Sequence, residues 1–211
     1  MMSWTAGLVL PLVLLCTWRL QEAVQACTCG DSVHPQTAFC QADVVIKAKV
    51  LGRKLVGGIE ESVKYDIKQM QMFKGPRRNI DAVYTPSSSA ACGVSLNNNV
   101  EYLLTGRLAS NGLLHVGLCD FMTPWDNLSA SQKTNLVAHY KMGCACQITH
   151  CYAFPCKLSR PAECLWTDFV TKLGNREQAR HFACVKRSHG YCAWYRGTLF
   201  PKKGYMDTKG R

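Results

Sequence analysis

The chain of 211 residues carries 25 Lys and Arg against 14 Asp and Glu, a net charge of +11, and 13 cysteines. Beyond an N-terminal apolar run no stretch is apolar enough to span a membrane, and the cysteine content argues against a reducing compartment. The positive balance points either to polyanionic partners or simply to solubility.

Residues 6–18, AGLVLPLVLLCTW, have the length of a signal-peptide hydrophobic region and fall short of the roughly 20 apolar residues a spanning helix needs. Ala26, with Val24 two before it, fits a signal-peptidase site, although no Lys or Arg precedes the apolar run. Residues 1–26 are therefore predicted to be a signal peptide, and the protein to be secreted to the extracellular space or matrix. Cleavage after Ala26 removes Cys16 and leaves 12 cysteines, which read as six disulfides. They fall into two sets of six: 27, 29, 40, 92, 119 and 144, then 146, 151, 156, 164, 184 and 192. Two closed sets are the more economical reading, so the predicted domains are residues 27–145 and 146–211. Charge divides along the same line: residues 27–146 carry 12 basic and 9 acidic side chains, and residues 147–211 carry 12 and 4.

The same cleavage makes Cys27 of CTCG the first residue. Its α-amino group and carbonyl oxygen would then lie one five-membered chelate ring apart. An unperturbed α-amine has a pKa of about 7.7–8.0, so its neutral form is accessible to a metal near neutral pH. Catalytic zinc keeps one coordination position for water or substrate, and a rigid N-terminus is able to take it. The rival reading is that Cys27 and Cys29 only staple a loose end.

Further on, Val44, Ile46, Ala48 and Val50 alternate with Val45, Lys47 and Lys49, a strand with one apolar face. In ESVKYDIKQMQMF, 61–73, Val63, Tyr65 and Ile67 share a side, and VGGIEE, 56–61, supplies the turn. DAVYT, VEYLLTGRL and LLHVGLC follow as short strands between turn-rich segments. Five strands of this kind fit a small closed or partly closed barrel. The period then changes: Ser129 and Gln132 form a capping-box pattern at a helix start, with Gly143 at the expected stop. Asn127-Leu128-Ser129 is an N-glycosylation sequon. Beyond Cys146 the pattern is irregular, with a weak strand at YCAWYRG, and a domain of this size would lean on its disulfides.

The standard local enzyme motifs are absent: HExxH, GxSxG, GxGxxG and the P-loop do not occur, so no catalytic residues are expected. The six histidines include no i,i+4 pair, and the cysteine spacings do not match zinc ribbons or fingers, so the chain should have no metal cofactor of its own. Nucleic-acid binding is disfavoured because basic and aromatic residues do not interleave on the strands. Neither membrane insertion nor oligomerisation is expected.

Several blocks carry a specific resemblance: CTC at 27–29, VHPQTAFC at 33–40, YDIKQMQMFKG at 65–75, SSAACGVSL at 88–96, GCACQI at 143–148, ECLWTD at 163–168 and CAWYRG at 192–197. With all 12 cysteines in register, the chain resembles the tissue inhibitors of metalloproteinases over its whole mature length. The resemblance implies a mainly β protein with some helix: an oligonucleotide-binding-type (OB-fold, netrin-like) five-stranded barrel followed by a small disulfide-rich domain. It implies the bridges Cys27–Cys92, Cys29–Cys119, Cys40–Cys144, Cys146–Cys192, Cys151–Cys156 and Cys164–Cys184. It further implies a secreted inhibitor of zinc metalloendopeptidases of the matrix metalloproteinase type, whose Cys27 amine and carbonyl chelate the protease zinc. Thr28 would enter the primed-side specificity pocket, Cys29 and Gly30 would continue the contact, and Ser88, Ser89, Ala90 and Ala91 would lie beside them to complete a wedge. The alternative is a non-inhibitory netrin-like module that binds matrix glycans or a receptor through its basic surface. Sulfated glycosaminoglycans would meet Arg180, Lys186, Arg187, Lys202 and Lys203. Three departures stand out. Gly30-Asp31 replace a stiffer, proline-bearing pair and add a residue, the first hairpin is short, and the tail is basic where some relatives end acidic.

Overall fold

The computed structural model describes residues 27–57, 61–171 and 177–196. The predicted signal peptide and the basic tail with Lys202 and Lys203 lie outside these residues.

Alternation of apolar side chains produces five strands that close on themselves. These are β1 (Val44–Val56), β2 (Ser62–Lys74), β3 (Ala82–Pro86), β4 (Glu101–Leu108) and β5 (Leu114–His115). The pairing runs β1-β2-β3-β5-β4, and β1 also pairs with β4, which closes the ring. Within this ring only the β3–β5 pair is parallel. A short strand β6 (Met122–Pro124) adds to the outer edge of β4. The sequence-predicted face of β1 points inward: Val44, Ile46, Ala48 and Val50 meet Val63, Tyr65 and Ile67 in one buried cluster with Val83, Leu104 and Leu114. Three irregularities in the β1–β2 register, between Val45 and Gly52, coil the strands so that β1 can serve two neighbours. Gly106 allows closure, because a Cβ there would stand 2.4 Å from the carbonyl oxygen of His115.

The opposite face of β1 and β4 is covered too. Val45 and Leu103 pack with Phe39, Leu128, Leu136 and Tyr140 in a second cluster. Phe39 lies on helix α1 (Pro35–Gln41) and Leu136 on helix α2 (Ala130–Ala138). The capping box of α2 is present, with the Gln132 amide donating to Ser129 Oγ at 3.0 Å and the Ser129 amide to Gln132 Oε1 at 2.9 Å. The stop is not where the sequence placed it. Helix α2 ends at Ala138, and Gly143 sits in a separate 3-10 turn, Met142–Ala145. Its role there is steric: a Cβ would lie 2.2 Å from the Cys184 carbonyl oxygen. Helix α1 lacks the usual Ser, Thr, Asp or Asn cap, its N-cap being His34, and Pro35 at the first turn is its one local start signal.

After residue 146 the chain forms two small sheets: β7 (Gln147–His150) parallel to β8 (Glu163–Trp166), and β9 (Phe182–Lys186) antiparallel to β10 (Cys192–Arg196), with α3 (Glu177–His181) leading into β9. They dock tightly on the barrel flank. Ala183 belongs to the second cluster, and the buried Gln36 side chain donates to the carbonyls of Gly143 and Cys184 while accepting from the Cys184 amide. The Ser129 hydroxyl also donates to the Arg180 carbonyl, so one residue caps α2 and binds α3.

Gln36→Leu keeps the bulk but strands two buried backbone groups, the amide and carbonyl of Cys184, while the Gly143 carbonyl keeps the Cys146 amide. At about 1–3 kcal/mol for each unsatisfied group, offset by relaxation, the loss should be at least about 2 kcal/mol. Denaturant unfolding of the oxidised protein measures it, and an unchanged midpoint would show that the barrel and the C-terminal sheets do not depend on this contact.

Candidate functional site: a disulfide-tethered edge

Six disulfides join Cys27 to Cys92, Cys29 to Cys119, Cys40 to Cys144, Cys146 to Cys192, Cys151 to Cys156 and Cys164 to Cys184. Three lie before residue 145 and three after it. The first two converge on one edge of the barrel, where the sulfurs of Cys27, Cys29 and Cys119 lie within 4.8 Å of one another. Because these thiols are consumed in bridges, they offer no thiolate ligand to a metal.

The receiving side of each bridge is built by backbone geometry. After β3 the chain turns sharply. Ser88 caps the 3-10 turn Ser89–Ala91, its side chain accepting from the Ala91 amide. Cys92 then takes a left-handed conformation at φ 65°. Gly93 donates to the Ser88 carbonyl at 2.8 Å, and a Cβ on it would stand 2.1 Å from the Pro86 carbonyl oxygen. The next residue is pinned from the core: the Val94 amide donates to Oγ1 of buried Thr85, and its carbonyl accepts from the hydroxyl of buried Tyr65. The Cys119 turn is tied to the same place, since Leu118 donates to the Cys92 carbonyl at 2.8 Å. Asp120 Oδ2 accepts from the Gly117 amide, and partial burial holds its carboxyl above the usual carboxylate range.

The structure brings together the residues the sequence singled out. Ser88, Ser89, Ala90 and Ala91 are exposed, and the Cys27–Cys92 bridge, Cα to Cα 5.1 Å, sets Cys27 beside them. Thr28, Cys29 and Gly30 are exposed, whereas Cys27 is half-buried. A Cβ on Gly30 would meet nothing within 4 Å, so neither space nor conformation demands glycine there. Sequence reasoning missed Leu118, 49% exposed and adjacent to Cys119. The only signal for it was the Cys29–Cys119 pairing itself. Asn127 is exposed at the end of the 3-10 turn Trp125–Asn127. The basic residues of the C-terminal region are spread out: Arg180 precedes β9, whereas Lys186 and Arg187 lie at its far end, about 14 Å along an extended strand of five residues.

Behind the edge, His34 anchors the chain. It is 1% exposed, its Nδ1 accepts from the Gln36 amide, and its Nε2 lies 3.4 Å from the Gln178 carbonyl. The Trp166 ring meets it edge-on at 5.2 Å. Burial pushes its pKa down from 6.5 to about 4.

The family model for tissue inhibitor of metalloproteinase matches residues 25–194, and the chain belongs to that family of protease inhibitors, which are not enzymes. Metalloproteinase inhibitor 2 of Homo sapiens is 49% identical over 213 residues, covering 96% of each chain. The protein of that name from Canis lupus familiaris is 49% identical over 210 residues (95% of this chain, 94% of the relative), and that from Gallus gallus is 41% identical over 217 (98% and 94%).

The buried, neutral His34 makes stability depend on pH. Below about 6.5 the unfolded chain binds a proton that the folded protein refuses until about pH 4. The contribution is therefore complete above pH 6.5 and is lost progressively towards pH 4, amounting to about 3 kcal/mol at about 1.4 kcal/mol per unit. The buried Glu163, held at about 2 by hydrogen bonds from Thr149 and Ser159, acts only at lower pH. Denaturant midpoints at pH 7.0 and 4.5 should differ for the native protein and differ less for His34→Asn; equal differences would assign the acid sensitivity elsewhere.

Proposed function

We infer that this is a secreted, monomeric inhibitor of zinc metalloendopeptidases of the matrix metalloproteinase type, acting through the N-terminal edge of its mature chain. The observation that carries the reading is the pair of bridges that hold Cys27 and Cys29 at an exposed edge beside Ser88–Ala91. Once the bond before Cys27 is cut, the only donors that Cys27 retains are its amine and carbonyl oxygen, because its sulfur is in the bridge. Those two hard donors fit the zinc of a target protease, which supplies an open, water-bearing coordination position. The amine must give up a proton to bind, and its ordinary pKa of about 7.7–8.0 makes that inexpensive at neutral pH.

Thr28 is the first exposed side chain past the chelating residue and is the one placed to enter the adjoining specificity pocket. Ser88–Ala91 lie alongside and widen the contact. Tethering at Cys92 and Cys119 means that little ordering is left to oppose binding. Residues 27–145 form the inhibitory unit in this reading and residues 146–211 a second one. The paired cysteines agree with export to an oxidising compartment. Exposed Asn127 then meets the glycosylation machinery as an acceptor, and enzymatic deglycosylation of protein secreted from animal cells should lower its apparent mass.

An alanine added before Cys27 turns the chelating amine into an amide and puts a residue where zinc must sit. Inhibition should fall by at least about 100-fold, as for the loss of a main ligand at about 2.7 kcal/mol or more, while folding is unchanged. Full inhibition by a sequenced, correctly extended protein would exclude chelation by the Cys27 amine, whereas no inhibition by the unextended mature protein would favour the non-inhibitory module. Thr28→Gly should weaken inhibition unequally across a protease panel, because loss of one side chain matters most where the pocket is deep. A uniform, small effect would place Thr28 outside the pocket.

A further inference from the structure

We propose that an aromatic platform in the C-terminal region clamps the chain directly behind the inhibitory edge, with Asp31 and Tyr152 as the positioning residues. This rests on the reading that the edge is inhibitory. Between Cys29, fixed by its bridge, and His34, fixed at the helix cap, lie four residues, Gly30 to Val33, all exposed. Among the described residues the hydrogen bonds of this linker number two, and both reach the end of β7. The Tyr152 hydroxyl donates to Asp31 Oδ2 at 2.5 Å, and His150 Nε2 lies 2.9 Å from the Ser32 carbonyl oxygen.

The platform is rigid enough to act as a clamp. The Tyr152 ring stacks on His150 at 5.3 Å with planes 7° apart, and His150 contacts Trp166 at 4.8 Å and Phe169 at 5.2 Å. Trp166 in turn meets buried His34, so the cluster grips the linker at both of its ends. The Cys151–Cys156 bridge closes the loop that carries Tyr152. The Trp166 indole donates to Asp168 Oδ2, and Asp168 also accepts from the amides of Gln178 and Ala179 at the start of α3.

Glycine at position 30 gives the linker more backbone freedom than any other residue would. Left loose, these residues would have to be ordered when the edge enters a protease cleft, at a cost in affinity. The Asp31 carboxylate is the compensating element. It anchors the flexible stretch to a surface that the residues after Cys146 supply, so the C-terminal region takes part in inhibition without touching the protease.

The test uses the full mature protein as Asp31→Ala, Tyr152→Phe and the double variant, with the exposed Tyr191→Phe as a neutral control. Three quantities are read: the inhibition constant against a metalloproteinase that the unmodified protein inhibits, amide exchange at Gly30–Val33, and thermal unfolding. Each single variant should weaken inhibition about three- to tenfold, the range of one hydrogen bond, and speed exchange in the linker. The double variant should be no worse than either single one. Unfolding should not move, since both groups are on the surface. Unchanged inhibition and exchange, or strictly additive effects, would overturn the clamp. If the unmodified protein inhibits nothing, the inhibitory reading fails, and the exchange data alone decide whether Asp31 and Tyr152 hold the linker.

Discussion

Two disulfides placed one residue apart, at Cys27 and Cys29 ahead of the barrel, govern how the rest of the molecule is organised. A segment lying outside the sheet tends to fray, because nothing on its outer side repays the entropy of ordering it. Here Cys27 is bonded to Cys92 and Cys29 to Cys119, so two neighbouring turns of the barrel each seize one residue of this segment. For this to work, Cys92 and Cys119 must stand side by side, and the barrel ensures it. The turn after β3 and the turn after β5 are neighbours because β3 and β5 pair in parallel, and the Leu118 amide binds the Cys92 carbonyl.

That constraint explains features that look unrelated along the chain. The left-handed Cys92, the obligatory glycine at 93 and the hydroxyls of Tyr65 and Thr85 all fix the position of one half-cystine. The two carbon-free approaches at Gly93 and Gly106 mark where backbone must pass backbone for the ring to close and the edge to form. The result is an exposed ridge made of two short segments, rigid without being large. Rigidity matters more than area for such a contact, since affinity depends on what remains after ordering costs are met.

The C-terminal region is more than an appendage to this arrangement. Its β9 strand shares a core with α1 and α2 through Ala183, and Gln36 supplies the partners that the Cys184 amide and carbonyl lack while also reaching the Gly143 carbonyl. The disulfide sets are separate on either side of residue 145, yet the apolar and hydrogen-bonded contacts cross that line freely. Covalent partition and packing thus divide the chain differently, and the behaviour of the N-terminal segment is set by both.

Much of this was legible from residue order alone. Period-two alternation in Val44–Val50 and Val63–Ile67 reports burial on one face directly, and the Ser129–Gln132 box is a local device that needs no tertiary help. The CTC spacing drew attention to Cys27 and Cys29, and both prove to be bridged at one edge of the barrel. Other features had no local signature. Helix α1 starts on a histidine cap whose burial depends on Trp166, more than 130 positions away. Gly143 was read as a helix stop, but it is glycine because the Cys184 backbone arrives there from the far end of the chain. Asp31 stood out in the sequence only as half of a pair replacing a stiffer one, and the fold sets Tyr152 against it. Sequence by itself determined which strand faces are apolar, where the α2 cap lies and which cysteines come as an even set, since those follow from side-chain chemistry and short-range spacing. Only the tertiary structure decided which distant segments meet, because those contacts depend on barrel closure and on backbone approaches that no local pattern encodes.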